Sequence, residues 1–184
     1  MTLSDELTVE LERARAGDAR GFDALFLAFG APVTGFLRGR HVSDPDGLAN
    51  DVFLRAFRNI HTFRGDGDRF RSWLFTIAYN VAIDDGRRRR RRVEETTLER
   101  APEQAGGDVE DEVLVRLANE RVGMLLGGLS PDQRDVLLLR IVSDLTVEET
   151  AAVLGKGYEA VRALQRRGLA SLRRAISHEE GVRQ

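Results

Sequence analysis

Roughly halfway along this chain the apolar periodicity stops. On either side hydrophobic residues recur every three or four positions, but across residues 93–109 they do not, and Pro102, Gly106, Gly107 and acidic residues take over. A segment of that composition offers too little apolar surface to offset the entropy of ordering it, so it reads as a flexible, solvated, acidic linker. The chain therefore divides into two small domains, residues 1–92 and 110–184, with the linker at 93–109. Neither half holds a strand-like alternation long enough to trust, so the expected class is all-α.

In the first half, Phe22, Leu25, Phe26, Phe29, Val33, Phe36 and Leu37 fall on one helical stripe, the expected core face. The turn signal Ser43-Asp44-Pro45-Asp46-Gly47 precedes a second pattern, Leu48, Val52, Phe53, Ala56 and Phe57, running to about Ile60. Its opposite face carries Asp51, Arg55 and Arg58. After a glycine-aspartate loop at 65–68, Phe70, Trp73, Leu74, Ile77, Ala78, Val81 and Ala82 repeat at helical spacing, and this helix runs into six consecutive arginines.

The second half opens with a helical stretch over about 109–126. Ser130 is a good N-cap and Pro131 suits a first helical turn, which predicts a helix over 132–142. Thr146 and Glu149 form a capping-box pattern ahead of 151–154, and Gly155 supplies the stop. A final helix is expected over about 158–176, with Val161, Leu164, Leu169, Leu172 and Ile176 inward and arginines outward.

The net charge of -2 argues little for a nucleic-acid partner, but the sum hides the arrangement. Residues 69–92 hold eight arginines (69, 71 and 87–92) against Asp84 and Asp85, and residues 156–174 hold six bases against Glu159. Between them, residues 94–112 carry eight acids against Arg100. Two basic blocks thus flank an acidic spacer. The chain has no cysteine, which excludes a disulfide framework, a thiolate metal site and a cysteine nucleophile, and fits a reducing cytoplasm. Charges interrupt the first 19 residues, so no secretory signal is expected there, and no stretch approaches the ~20 apolar residues that cross a bilayer.

Two constellations carry chemistry. The first is the capped helix at 147–154, a three-residue turn with glycines at 155 and 157, and a longer basic helix, which is the layout of a helix-turn-helix whose second helix enters the major groove. Arg162 and Arg166 share a face there, adjoined by Tyr158, Glu159, Ala163 and Arg167, so base-edge and phosphate contacts are both on offer. An αα-hairpin with a solvated basic face is the plainer alternative. The second constellation interleaves aromatics with arginine: Phe63, Arg64, Phe70, Arg71 and Trp73 around the glycine-aspartate loop, then Asn80, Asp84 and the arginine run from Arg87 and Arg88. Unpaired bases stack on aromatic faces while cations follow phosphates, so such a surface suits melted DNA; Phe70 and Trp73 serve equally well as core. Six adjacent like charges make most sense beside a polyanion. No catalytic motif is present, and the three histidines are scattered. Asp66 and Asp68 read as turn residues, since the loop lacks the remaining oxygens of a calcium site. No metal, cofactor or catalytic residue is expected.

These residues resemble those of the extracytoplasmic-function (ECF) sigma factors over nearly the whole chain. Phe22 to Arg40 resembles the first helix of sigma region two, and Asp51-Val52-Phe53-Leu54-Arg55-Ala56-Phe57-Arg58 resembles its polymerase-binding helix. Residues 71–84 with the following arginines resemble the family's RxWLxxIAxNxxxDxxRR signature, and Leu129-Ser130-Pro131-Asp132-Gln133-Arg134 onward is similar to region four. The resemblance implies an alternative sigma factor, non-enzymatic, that takes core RNA polymerase to promoter DNA. It implies that Asp51, Arg55 and Arg58 dock on the polymerase. It further implies that Phe63, Arg64, Asp66, Phe70, Arg71, Trp73, Asn80, Asp84, Arg87 and Arg88 take the single-stranded minus-ten element, and that Arg134, Tyr158, Glu159, Arg162, Ala163, Arg166 and Arg167 take the duplex minus-thirty-five element. An anti-sigma protein is the further partner it implies. Asp46-Gly47-Leu48-Ala49-Asn50 departs from the family pattern, as does Gly157 at the expected N-cap of the last helix. From another class, a two-domain regulator binding only duplex DNA accounts for the second half equally well and leaves the aromatic, asparagine and arginine set of the first half unexplained.

Overall fold

Among the residues described by this computed structural model, 3–95 and 121–182, every regular element is helical, as expected. The linker expected at 93–109 lies outside the described residues from position 96 onward, and residues 93–95 form the end of a helix. The helix expected over 109–126 is likewise described only from residue 121.

The chain begins with a helix the apolar pattern did not reveal. α1 (Leu3–Arg15) puts Leu7, Leu11 and Ala14 into the core, a stripe too narrow to stand out among its acids and arginines. α2 (Ala19–Gly39) starts at Asp18, whose side chain accepts a hydrogen bond from the Arg20 amide. Its predicted stripe is buried at Leu25, Phe29, Val33, Phe36 and Leu37, but Phe26 turns outward, 44% exposed, with its ring against Phe53. α3 (Pro45–Asn59) is capped by Asp44, which accepts from the Gly47 amide at 2.9 Å. α4 (Gly67–Glu95) continues without a break through all six arginines.

In the second half, α5 (Pro131–Leu137) carries the capping box of Ser130 and Gln133. The helix expected to run on to residue 142 widens instead into a π-helical turn, Leu138–Val142. Leu137, Leu138 and Leu139 are all buried there, more consecutive leucines than one stripe of a straight α-helix can hide. α6 (Val147–Leu154) has the predicted Thr146–Glu149 capping box and ends on Gly155 in the left-handed region. α7 (Tyr158–Val182) follows, its first hydrogen bond running from the Val161 amide to the Gly157 carbonyl.

The two halves share one core. Leu126, Leu129, Leu137, Leu138, Leu139, Leu145 and Val153 join the same apolar cluster as Leu11, Phe36, Leu74 and Phe75, and each fully buried leucine contributes about 1.5–3 kcal/mol. A separate small cluster, Val136, Ala151, Val161 and Leu164, holds α5, α6 and α7 together. At the seam, α2 meets the π-helical turn and α4 meets α6. The approach is close: a Cβ on Gly39 would come within 2.4 Å of the Leu138 side chain. Two ion pairs cross the seam. Arg40 reaches Asp135 at 2.6 Å with both side chains largely buried, its guanidinium lying 4.8 Å from the Tyr79 ring centre. Arg71 bonds the Asp144 carboxylate at 3.1 Å.

Candidate nucleic-acid and polymerase interfaces

Residues 63–73 fold into an aromatic shelf. Phe63 lies 5.0 Å from Trp73 and 5.8 Å from Phe70, centre to centre, and Phe70 rests on Phe29 beneath. Phe70 is wholly buried, so it supports the shelf from the core and offers no face to a ligand. Phe63 is buried, 8% exposed, and Trp73 is half-buried. Arg64 turns outward and donates to the His61 and Phe63 carbonyls at 2.7 and 3.1 Å. Asp66 caps α4 by accepting from the Arg69 amide at 3.0 Å.

Along α4 the spacing does the assembling. Positions 73, 80, 84 and 87 are separated by near-whole numbers of helical turns, so Trp73, Asn80, Asp84 and Arg87 share a face. Asn80 is exposed, Asp84 is half-exposed and 3.8 Å from Arg87, and Arg87 and Arg88 stand in solvent. An amide, a carboxylate and two guanidinium groups are thereby lined up beside an aromatic ring, the set that can pair with a base edge and neutralise its phosphates. Arg71 is the member drawn away, held by Asp144 of the other half. Asp85 points to the opposite side. Buried, it accepts from the Ser43 hydroxyl and amide at 2.6 and 3.2 Å and pairs with Arg89, fixing α4 to the α2–α3 turn.

α6 and α7 meet through the three-residue turn 155–157 as a helix-turn-helix. At the start of α7, Tyr158, Glu159, Arg162, Arg166 and Arg167 are exposed and Ala163 is half-buried. Arg162 lies 5.8 Å from the Tyr158 ring centre and 3.7 Å from Glu159, so its guanidinium is steered before any ligand arrives. Arg134 stands apart from this group, donating its Nε to the Leu126 carbonyl at 3.0 Å.

On α3, Asp51 and Arg55 sit 4.0 Å apart on the outer face, and Arg58 follows in solvent. Nearby the structure exposes the large apolar side chain of Leu54, and Phe26 and Leu27, also exposed, line a groove with Gly30, Ala49 and Phe53. Helical spacing had assigned Phe26 to the core; it is 44% exposed, and Leu27 beside it is 81% exposed.

Comparison with known proteins identifies what these surfaces belong to. Residues 25–92 match the Sigma-70 region 2 family and residues 125–174 match Sigma-70, region 4. The ECF RNA polymerase sigma factor BldN of Streptomyces coelicolor is 35% identical over 90% of this chain, a match spanning 64% of BldN. RNA polymerase sigma factor CnrH of Cupriavidus metallidurans is 34% identical over 87% of this chain and 88% of its own length. The chain belongs to the ECF sigma factors. A solved structure of CnrH in complex with the cytosolic domain of CnrY superposes on this sigma factor with a TM-score of 0.70, at 26% identity over 93% of this chain and 97% of that one. Sigma factor RpoE of Bartonella quintana, solved with the anti-sigma factor NepR, shares the fold, with a TM-score of 0.67 at 22% identity over 86% of this chain and 98% of that one. As a member of this family the chain directs RNA polymerase in promoter recognition and transcription initiation. Among the described residues no helix is long and apolar enough to cross a membrane. The region 2 match begins at residue 25, so α1 precedes it.

Proposed function

We propose that this sigma factor divides its work among three surfaces. Asp51, Arg55 and Arg58 on α3, with the apolar groove lined by Phe26 and Leu27, dock on core RNA polymerase. The shelf of Phe63 and Trp73, the loop with Arg64 and Asp66, and the face of Asn80, Asp84, Arg87 and Arg88 hold the melted minus-ten strand. The start of α7 reads the minus-thirty-five duplex, with Arg162 on base edges and Arg166 and Arg167 toward phosphates. The observation that carries this is the alignment of an exposed asparagine, a carboxylate and arginines along one face of α4. Duplex binding needs only the arginines, because counterion release is indifferent to the bases; capture of an unpaired base employs the amide and carboxylate as well.

Reading both elements at once requires the two halves to separate. Roughly 25 base pairs lie between elements so named, about 85 Å at ~3.4 Å per step. A compact chain of this length has a radius of gyration of only about 16 Å. The 14 residues from 96 to 109 would reach about 46 Å if extended, enough with the widths of the two halves to bridge the gap. The seam pairs Arg40–Asp135 and Arg71–Asp144 must then part, which releases Arg71 for the minus-ten strand. An anti-sigma protein that holds the halves together is the fitting antagonist, since the solved relatives are complexed with CnrY and NepR. The setting is the cytoplasm and the role is non-enzymatic.

The test is binding of polymerase holoenzyme to a pre-melted promoter whose non-template minus-ten strand is randomised. Wild type should enrich particular bases, and Asn80→Ala should lose enrichment at one position. Equal recovery of every base by wild type would leave the arginine run as a nonspecific anchor.

A further inference from the structure

α1 lies outside the residues that match region 2, yet it holds the loop between α3 and α4 at three points. Arg15, at the end of α1, donates one guanidinium nitrogen to the Phe63 carbonyl at 2.9 Å and to the Gly65 carbonyl at 3.1 Å. The same guanidinium lies 5.3 Å from the centre of the Phe63 ring, and Glu12 pairs with its other nitrogen. Two turns earlier on that helix face, the Thr8 hydroxyl accepts from the Gly67 amide at 3.0 Å. Arg15, 48 and 50 residues distant in sequence, thus joins Arg64 in holding the loop's carbonyls, and the loop's exit into α4 is tied separately by Thr8.

These bonds decide where the loop's side chains point. Two bonded carbonyls, at 63 and 65, flank Arg64 and leave it facing solvent. Gly65 takes φ +155, and a Cβ there would fall 2.9 Å from the Phe63 ring and 2.8 Å from Arg69, so the turn is tight against the ring that Arg15 covers. Leu7, Leu11 and Ala14 seat α1 in the core, which makes Arg15 a fixed anchor. Lysine cannot replace it, because a point cation lacks the planar fork that serves two carbonyls and a ring at once.

We infer that Arg15, assisted by Thr8, is a positioning residue for minus-ten recognition: it sets the geometry of the 63–67 loop and thereby which base the neighbouring shelf accepts. The inference rests on the assignment of that loop to the minus-ten site. Arg15 itself touches no DNA; it acts through Phe63, Arg64 and Gly65.

The experiment uses full-length protein in holoenzyme and the pre-melted fragment with a fully randomised non-template strand, the bound pool being sequenced. Arg15→Lys and Thr8→Val should each flatten base enrichment at one position, by roughly tenfold for Arg15→Lys, the scale of a lost hydrogen bond to a charged group. Affinity for core polymerase and for minus-thirty-five duplex should stay within about twofold, since α3 and α7 are untouched. Arg15→Met is the harsher variant, used if it melts near wild type. Unchanged enrichment, or a loss uniform across all bases, overturns the inference. Asn80→Ala run alongside separates the two failures: if it too leaves enrichment unchanged, the base-reading site itself is wrong, whereas altered enrichment in Asn80→Ala alone removes only Arg15.

Discussion

Arg40→Ala should loosen the seam between the two halves without unfolding either. Asp135 is 6% exposed and pairs with Arg40 at 2.6 Å. Burial, the larger influence, already holds the Asp135 carboxyl above the usual aspartate range, while Arg40 pulls the other way. Without Arg40 the carboxylate is left in an apolar seam, and breaking one side of a buried pair costs about 3–5 kcal/mol. The seam can relieve that cost by opening, so even ~3 kcal/mol shifts the open-to-closed ratio by roughly a hundredfold. The chain has no native cysteine, so dyes placed through Ala28→Cys on α2 and Ser177→Cys on α7 report the opening by energy transfer. Arg40→Ala should lower transfer, and adding Asp135→Asn should restore most of it, because the orphaned charge is gone. A carboxyl whose folded pKa is raised withdraws stability as pH climbs from its ordinary value through the raised one. The wild-type seam should therefore tighten on acidification through that window, a trend Asp135→Asn abolishes. Unchanged transfer in Arg40→Ala, with a coupling to Asp135→Asn below about 0.5 kcal/mol, would refute the seam as a buried-charge latch.

Three further outcomes are expected. Arg55→Glu should weaken binding to core polymerase while shifting stability by only about 0.5 kcal/mol, as exposed substitutions do; unchanged affinity removes α3 from the interface. Arg162→Ala should cost roughly 1–3 kcal/mol and relax preference at one minus-thirty-five position, whereas Arg174→Ala, far along α7 beside Ser171, should weaken all sequences alike; equal losses on every sequence for both would refute the division. His41 is held below its ordinary pKa by burial first, then by Arg134 and Arg89, so folding disfavours its charged form. Stability should fall as pH drops below about 6.5, and His41→Asn, which tolerates the positive φ at this site, should flatten that decline in thermal melts.

Much of the fold could be read because its signals are local. The apolar stripes of α2 to α4, the Ser130 N-cap, the capping box at 146 and the Gly155 stop each depend on neighbours within four residues, and apart from Phe26 they stand where expected. What escaped is long-range. Leu138 and Leu145 look like the core of their own domain, and nothing in their spacing says that α2 and α4 share it. α1 hid because three small or aliphatic residues suffice to seat it. For the site, Asn80, Asp84 and the arginines needed only helical spacing to be placed on one face. Phe70 was ambiguous, since an aromatic at a core-facing position and one at a stacking surface have the same spacing; burial sends it to the core. Arg15, 48 residues from its acceptor at Phe63, was invisible to any local pattern.

Adding the chain to sigma-free core polymerase on genomic template and mapping the transcript starts addresses the central claim most directly. The account predicts discrete starts, each preceded by the same pair of upstream elements near minus ten and minus thirty-five, and their loss on shuffling either element. Starts scattered as with core polymerase alone, or discrete starts insensitive to the minus-ten sequence, would contradict it.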